Sequence, residues 1–406
     1  MAASGYRVLA VAGGLREAME GDLHESLDGL QFLGLVGIID PVRPEAVAAL
    51  RECDEAQIKS VMVTGDHPLT ALAIARELSL AGPEDKAITG AEIAAAQERS
   101  EAEVDELVHG HRVFARVTPV QKKMIVDRLI QAGHYVAVTG DGVNDAPALH
   151  HAHVGVAMGQ RGTDVARESS DLILTDDNFA SIVNGVPEGR IVYNNIRKVI
   201  FLLISTGAAE ITLFMWALFF AMPIPLLPLQ LLWLNLVTNG VQDVALAFEP
   251  AEGDELKRAP RDPDQPVFDR VMIERVVTSA LYMGTVAFAL FWSIMQTGVP
   301  VEEARNVTLL LMVLFENVHA LNSRSENQSV VNVPFFSNPV LLVGILVAQA
   351  IHIGSMYTPG INDLLQIEPV SFTLWLQLLG VALSLFIIDE GHKFLERRKA
   401  RRVAMA

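Results

Sequence analysis

Two segments of the sequence end alike, Ser60-Val-Met-Val-Thr-Gly-Asp66 and Tyr135-Val-Ala-Val-Thr-Gly-Asp141, 75 residues apart. Each is a short apolar run of the kind that forms a buried parallel strand, and each ends on a threonine, a glycine and a carboxylate. Ligands of α/β sheets bind at such carboxyl ends. The second run continues through Gly-Asp-Gly-Val-Asn-Asp, so Asp141 and Asp145 share a loop with glycines that let backbone approach a phosphate. That pair suits Mg²⁺ held together with a phosphoryl group, and Lys122, in Arg116-Val-Thr-Pro-Val-Gln-Lys122, is placed to neutralise phosphate charge. A single Thr-Gly-Asp would read as an ordinary turn. Two of them with a lysine and Gly-Asp-Gly-Val-Asn-Asp read as chemistry.

A second set of oxygen ligands lies in apolar sequence. Glu210 is the twelfth residue of the run 199–222. Asn235, Asn239 and Asp243 recur every four residues and share one helical face, bordered by Thr238 and Gln242. Glu316 stands beside Asn317 in a further apolar run. A carboxylate at mid-bilayer costs about 2.5–3.5 kcal/mol on insertion scales, so it faces a bundle interior or a water-filled site. Carboxylate, amide and hydroxyl oxygens together fit a hard cation. Helix–helix hydrogen bonding is the competing reading, strongest for Gln242 and Asn317. His319 and His352 read as packing or interfacial residues.

The elements that must position these groups fall into two kinds. Helical patterns follow each Thr-Gly-Asp strand, at 68–78 and 146–151, which is βαβ sequence, and 90–108 reads as an acid-rich surface helix. Beyond Arg190 come six apolar stretches, at about 199–222, 226–248, 276–295, 307–322, 340–356 and 372–388. Basic residues cluster before the first, between the second and third, and after the fourth and sixth. The intervening loops carry only Arg305, so both termini are expected on the cytoplasmic side of a multi-pass protein, most simply in a plasma (inner) membrane. The 406 residues are 51% hydrophobic with a mean hydropathy of +0.33, which excludes a disordered or fibrous chain. A net charge of −17 argues against nucleic acid as a partner, and the single Cys53 excludes an intrachain disulfide.

The chain resembles the P-type ATPases, specifically the type II cation pumps related to the calcium pump. The residues that carry the resemblance are Asp40-Pro-Val-Arg43, Thr64-Gly-Asp66, Phe114-Ala-Arg-Val117, Thr139 through Leu149 and Asp176-Asp-Asn-Phe179, then Tyr193-Asn-Asn195, Leu231 through Thr238 and Ala320-Leu-Asn-Ser323. It implies a haloacid-dehalogenase-like, Rossmann-like α/β phosphorylation domain over 31–190, preceded at 1–30 by the end of a nucleotide-binding domain. A transmembrane helical domain over 191–406 would follow. By this resemblance ATP is the substrate and Mg²⁺ the cofactor. Thr64 and Gly65 meet the phosphoryl group, Lys122 stabilises its charge, Asp141 binds Mg²⁺ with Asn144 and Asp145 in support, and Arg116 and Asp66 approach the nucleotide. Glu210, Asn235, Thr238, Asn239 and Glu316 align with positions that bind the transported cation, Ca²⁺ leading; Asp243 is added on helical geometry alone.

The departures bear on activity. The nucleophile motif Asp-Lys-Thr-Gly-Thr, the actuator motif Thr-Gly-Glu, most of a nucleotide-binding domain and four further spans have no counterpart in the sequence. Asp40 is a poor substitute nucleophile, because Val42 stands where phosphatases of the superfamily place an acid or threonine. The expectation is the C-terminal part of a pump, incomplete in its α/β domain and inactive alone, with a missing N-terminal part as partner. A catalytically incompetent membrane fragment is the alternative, and a membrane-anchored phosphatase a distant third. Gly207 replaces a family asparagine ligand and Asn239 an aspartate. Pro187 and Gly189 either kink the helix that enters the first span or mark its beginning.

Overall fold

A computed structural model describes residues 6–14, 30–38, 41–326 and 328–404. Asp40 lies outside the described residues. The chain divides into two compact units, Met1–Pro187 with Leu256–Pro263, and Glu188–Glu255 with Asp264–Ala406.

The first unit is α/β. An antiparallel pair, β1 (Arg7–Gly13) and β2 (Gln31–Ile38), precedes α1 (Pro44–Glu55), β3 (Met62–Val63), α2 (Pro68–Glu77), β4 (Ile88–Thr89), α3 (Gly90–Arg99), α4 (Glu101–Gly110) and β5 (Val113–Ala115). Then follow α5 (Pro119–Gln131), β6 (Ala137–Gly140), α6 (Ala146–His151), β7 (Val154–Met158), α7 (Asp164–Glu168) and β8 (Leu172–Leu174). The expected surface helix over 90–108 is two helices, because Ser100 adopts an extended backbone and caps α4 through the Glu103 N–H.

The parallel strands form two separate sheets, β3-β5-β4 and β6-β7-β8. Their inner strands are buried: Val113, Phe114 and Ala115 in β5, Val156 and Ala157 in β7. Among the described residues β3 and β6 are each paired on one side only. Along β6, Ala137 and Thr139 are exposed, which is unusual for a strand whose sheet is parallel.

The second unit is helical. Helix α8 (Phe179–Phe219) runs through Pro187, so the proline neither begins nor ends the helix. It removes one donor, leaving the carbonyl of Val183 without its usual partner. After it come α9 (Pro228–Trp233), a π-helical stretch (Leu234–Asn239), α10 (Gly240–Leu246), α11 (Arg270–Gln296), α12 (Val301–Asn322), α13 (Pro339–Tyr357), α14 (Ile361–Leu365) and α15 (Phe372–Ala404). Helices α8, α11, α13 and α15 are long and apolar enough to cross a membrane. The expected second span, 226–248, runs as α9, the π stretch and α10 with helical backbone at each junction, and the fourth lies in α12, nearly every residue of which from Ala304 to Ala320 is buried by its neighbours.

Buried ion pairs join the helix ends. Arg197 bonds Asp269 at 2.8 Å and Glu326 at 2.6 Å, Arg324 bonds Glu249 at 2.9 Å, and Arg275 and Lys393 hold Asp389 at 3.1 and 2.9 Å. Several of the basic residues that read as loop markers of orientation are therefore buried clamps as well.

Two predictions follow from packing and capping. A Cβ on Gly284 of α11 would lie 2.5 Å from both the Ala209 carbonyl oxygen and the Thr212 Cβ of α8, whereas one on Gly207 would meet nothing within 4 Å. Gly284→Ala should cost about 1–3 kcal/mol and Gly207→Ala be neutral or stabilising, as read by thermal unfolding of the solubilised chain. Asp177 accepts the N–H groups of Gln160 and Arg161 at 2.9 and 2.8 Å, and those hydrogen bonds, the Gln160 one foremost, hold its carboxyl below the usual range. Stability from a depressed carboxyl is complete above its unfolded pKa of about 3.9 and is lost as pH falls through the folded value. Asp177→Asn should lower the unfolding midpoint near neutrality and converge with the original protein in strong acid.

Candidate functional site

In the α/β unit the candidate residues sit on four adjoining pieces of chain. Thr64, Gly65 and Asp66 form the turn after β3. The Thr64 hydroxyl donates to Asp66 Oδ2 at 3.0 Å and accepts the Asp66 N–H at 3.1 Å, so the turn is closed on itself. Arg116 follows β5 with a left-handed φ of 50°, donating its backbone N–H to the Asp66 carbonyl, while the Val117 N–H reaches the Thr64 carbonyl. The next residue, Thr118, caps α5 in a reciprocal box with Gln121, and Pro119 opens the helix. That cap fixes where Lys122 falls, one turn into α5.

Lys122 Nζ lies 2.6 Å from Asp145 Oδ1, and the same carboxylate accepts the Gly142 N–H at 3.2 Å. Asp145 ends the short helical turn Val143–Asp145 after β6 and leans against Gly140, where a Cβ would stand 2.6 Å from the Asp145 Cβ. Only glycine permits that approach. Residues 116–122 therefore bond the β3 turn at one end and the β6 loop at the other. Asp141 and Asn144 present exposed side chains on that loop, and the Arg116 side chain is exposed too. An exposed carboxylate beside a second one already held by a lysine matches the one or two carboxylates with which Mg²⁺ is bound alongside substrate phosphate.

The second constellation lies in the helical unit, around the π stretch. Asn235 donates to Glu210 Oε1 at 3.0 Å and Asn239 donates to Thr206 Oγ1 at 3.1 Å, so these two face α8. Thr238 hydrogen-bonds Glu316 Oε2, and Gln242 donates to Asn317 Oδ1 at 2.6 Å, so this pair faces α12. Asn317 passes the contact on to Gln349 of α13 at 2.9 Å. Sequence reasoning missed Thr206, which precedes Glu210 by one helical turn, and Gln349, which lies one turn before His352 in α13.

Among the described residues Glu316 Oε1, Asn239 Oδ1, Gln242 Oε1 and Asp243 Oδ1 are buried oxygens with no hydrogen-bond partner. Glu316 is 1% exposed and Asn239 fully buried. Each such acceptor costs about 1–3 kcal/mol unless water or an ion satisfies it. These four lie on α10, α12 and the π stretch, and carboxylate and amide oxygens are the donor types that hard cations take. Glu210 also lines a cavity of 410 Å³ whose other walls, among them Phe214, Leu218, Met222 and Leu231, are apolar.

Comparison with known proteins bears on both constellations. A family model described as haloacid dehalogenase-like hydrolase matches residues 7–153, and one described as cation transporting ATPase, C-terminus, matches residues 223–395. The chain is 38% identical over 384 residues to a calcium-transporting ATPase of Bacillus subtilis, covering 94% of this chain and 43% of that protein. It is 35% identical over 404 residues to the endoplasmic reticulum calcium ATPase srcA of Aspergillus fumigatus, covering 91% and 41%. A probable cation-transporting ATPase F of Mycobacterium tuberculosis is 36% identical over 403 residues, covering 98% and 44%. The chain thus spans less than half the length of these relatives.

The pairing of Lys122 with Asp145 makes a separable prediction. Both side chains are about one-sixth exposed. Lys122→Ala should therefore destabilise the fold by about 1–2 kcal/mol, less than a fully buried pair would. Asp141→Ala should leave stability within about 0.5 kcal/mol and weaken Mg²⁺ binding, both readable by calorimetry on the solubilised chain.

Proposed function

From the likeness to cation-transporting ATPases, we propose that this chain is the part of a P-type pump that couples a Mg²⁺–phosphoryl centre to a cation site within a six-span bundle. The observation that carries the reading is the double grip of the π stretch. Asn235 holds the carboxylate of Glu210 and Thr238 that of Glu316, from two different helices. Ca²⁺ is the leading ion, since two of the similar proteins are named calcium ATPases.

In the α/β unit Asp141, supported by Asp145 and Asn144, would hold Mg²⁺, which supplies charge neutralisation at the phosphoryl oxygens. Lys122 and the Thr64–Gly65 turn would meet the same group, and Arg116 and Asp66 the nucleotide. The nucleophilic aspartate would come from outside the described residues, on a strand entering between β3 and β6, whose free sides call for one. The same one-sided strands favour a second reading, in which the chain is inert until that complementary part joins it. Helix α8, continuous from Phe179 through Glu210, would carry displacement to the cation site.

The test uses the complete pump, this chain with its complementary portion, reconstituted in vesicles. Asp141→Asn should abolish Mg²⁺-dependent phosphoenzyme. Glu210→Gln and Glu316→Gln should each abolish cation-stimulated phosphorylation and uptake, and unimpaired uptake in the double variant defeats the proposal. Gly207→Asn with Asn239→Asp, which restores two ligand oxygens where space is open at Gly207, should raise apparent Ca²⁺ affinity by about tenfold, or 1.4 kcal/mol.

A further inference from the structure

Apart from both constellations, three side chains converge where α11 and α15 pass beyond the stretches 276–295 and 372–388. Glu274 comes from α11, and His392 and Glu396 come from α15, one helical turn apart and so on one face. One ligand atom from each lies within 4.8 Å of the other two, and His392 Nε2 is 3.8 Å from Glu274 Oε2. All three side chains are half-buried rather than free in solvent.

The partners of these groups point to a ligand. Glu274 Oε1 accepts Arg270 Nε at 2.7 Å, leaving Oε2 toward His392, and Glu396 Oε1 accepts Lys399. Both ring nitrogens of His392 are buried without a hydrogen-bond partner. Outer groups that orient metal-binding carboxylates in this way are a regular part of metal sites. One imidazole nitrogen and two carboxylate oxygens suit a borderline ion, and Zn²⁺ binds such sets most tightly among the common redox-inert divalent ions.

We propose that Glu274, His392 and Glu396 form a Zn²⁺ site that ties the extension of α15 to the foot of α11. Tetrahedral Zn²⁺ with bond lengths of about 2.0–2.2 Å sets its ligand atoms about 3.3–3.6 Å apart, so separations of up to 4.8 Å close by about 1.5 Å at most, within rotamer adjustment. Water fills the fourth position. The neutral imidazole coordinates through one nitrogen, and Arg270 and Lys399 stay on the outer carboxylate oxygens.

The experiment is Zn²⁺ titration of the full solubilised chain by calorimetry, with X-ray absorption of the loaded protein. One saturable site is expected, with a first shell of one imidazole nitrogen and the rest oxygen. His392→Ala and Glu396→Gln should each weaken it at least about tenfold, with thermal unfolding confirming that both variants fold. Glu316→Gln should leave it unchanged, which separates it from the proposed transport site. No saturable binding, equal affinity in both folded cluster variants, or a first shell without histidine overturns the proposal and leaves an ion-pair network only.

Discussion

A carboxylate inside a helical bundle must find its partners in neighbouring side chains, trapped water or a bound ion, and the helices around the π stretch answer to that constraint. Glu316 is held by one hydroxyl and Glu210 by one amide. Neither partner exhausts the lone pairs of its carboxylate, and Glu316 Oε1 stays open. A bundle built for stability alone would replace such groups with apolar side chains at little or no loss. Open oxygens on Asn239, Gln242 and Asp243 as well leave a group of acceptors that water or an ion would satisfy.

The π stretch explains how one short segment serves two neighbours. In an uninterrupted α-helix Asn235 and Thr238, three apart, would crowd toward one side. Widening the turn over Leu234–Asn239 spreads them, so that Asn235 and Asn239 address α8 while Thr238 and Gln242 address α12. Such π insertions concentrate at functional sites. The α/β unit uses a comparable economy. Residues 116–122 hold the β3 turn with backbone N–H groups and the β6 loop with a lysine, and the cap at Thr118 sets the distance between them.

The strand ends and the polar residues within the apolar spans were legible because their signals are local. Apolar runs ending in Thr-Gly-Asp give β3 and β6, and a carboxylate in an apolar span stands out at Glu210 and Glu316. The π stretch was not legible, since Leu-Asn-Leu-Val-Thr-Asn carries an ordinary helical period and only packing on both sides selects the wider turn. Arg197, Arg324 and Lys393 read as solvated loop charges because a sequence does not reveal that Glu326, Glu249 and Asp389 come to meet them. The division of the parallel strands into two sheets was not legible, because strand order depends on contacts far apart in the chain.

Charge counting narrows what the proposed cation site would hold. Glu210, Asp243 and Glu316 carry up to three negative charges, and Asn239 adds a dipole where a carboxylate would add a fourth. In surroundings of low dielectric a mismatch of two charges in either direction costs far more than a mismatch of one. One divalent ion leaves a single excess negative charge, which one proton removes; two divalent ions leave an excess positive charge with fewer oxygens than two hard cations require. If Glu210, Asp243 and Glu316 served one site, a single divalent ion would meet both the charge and the oxygen count better than two.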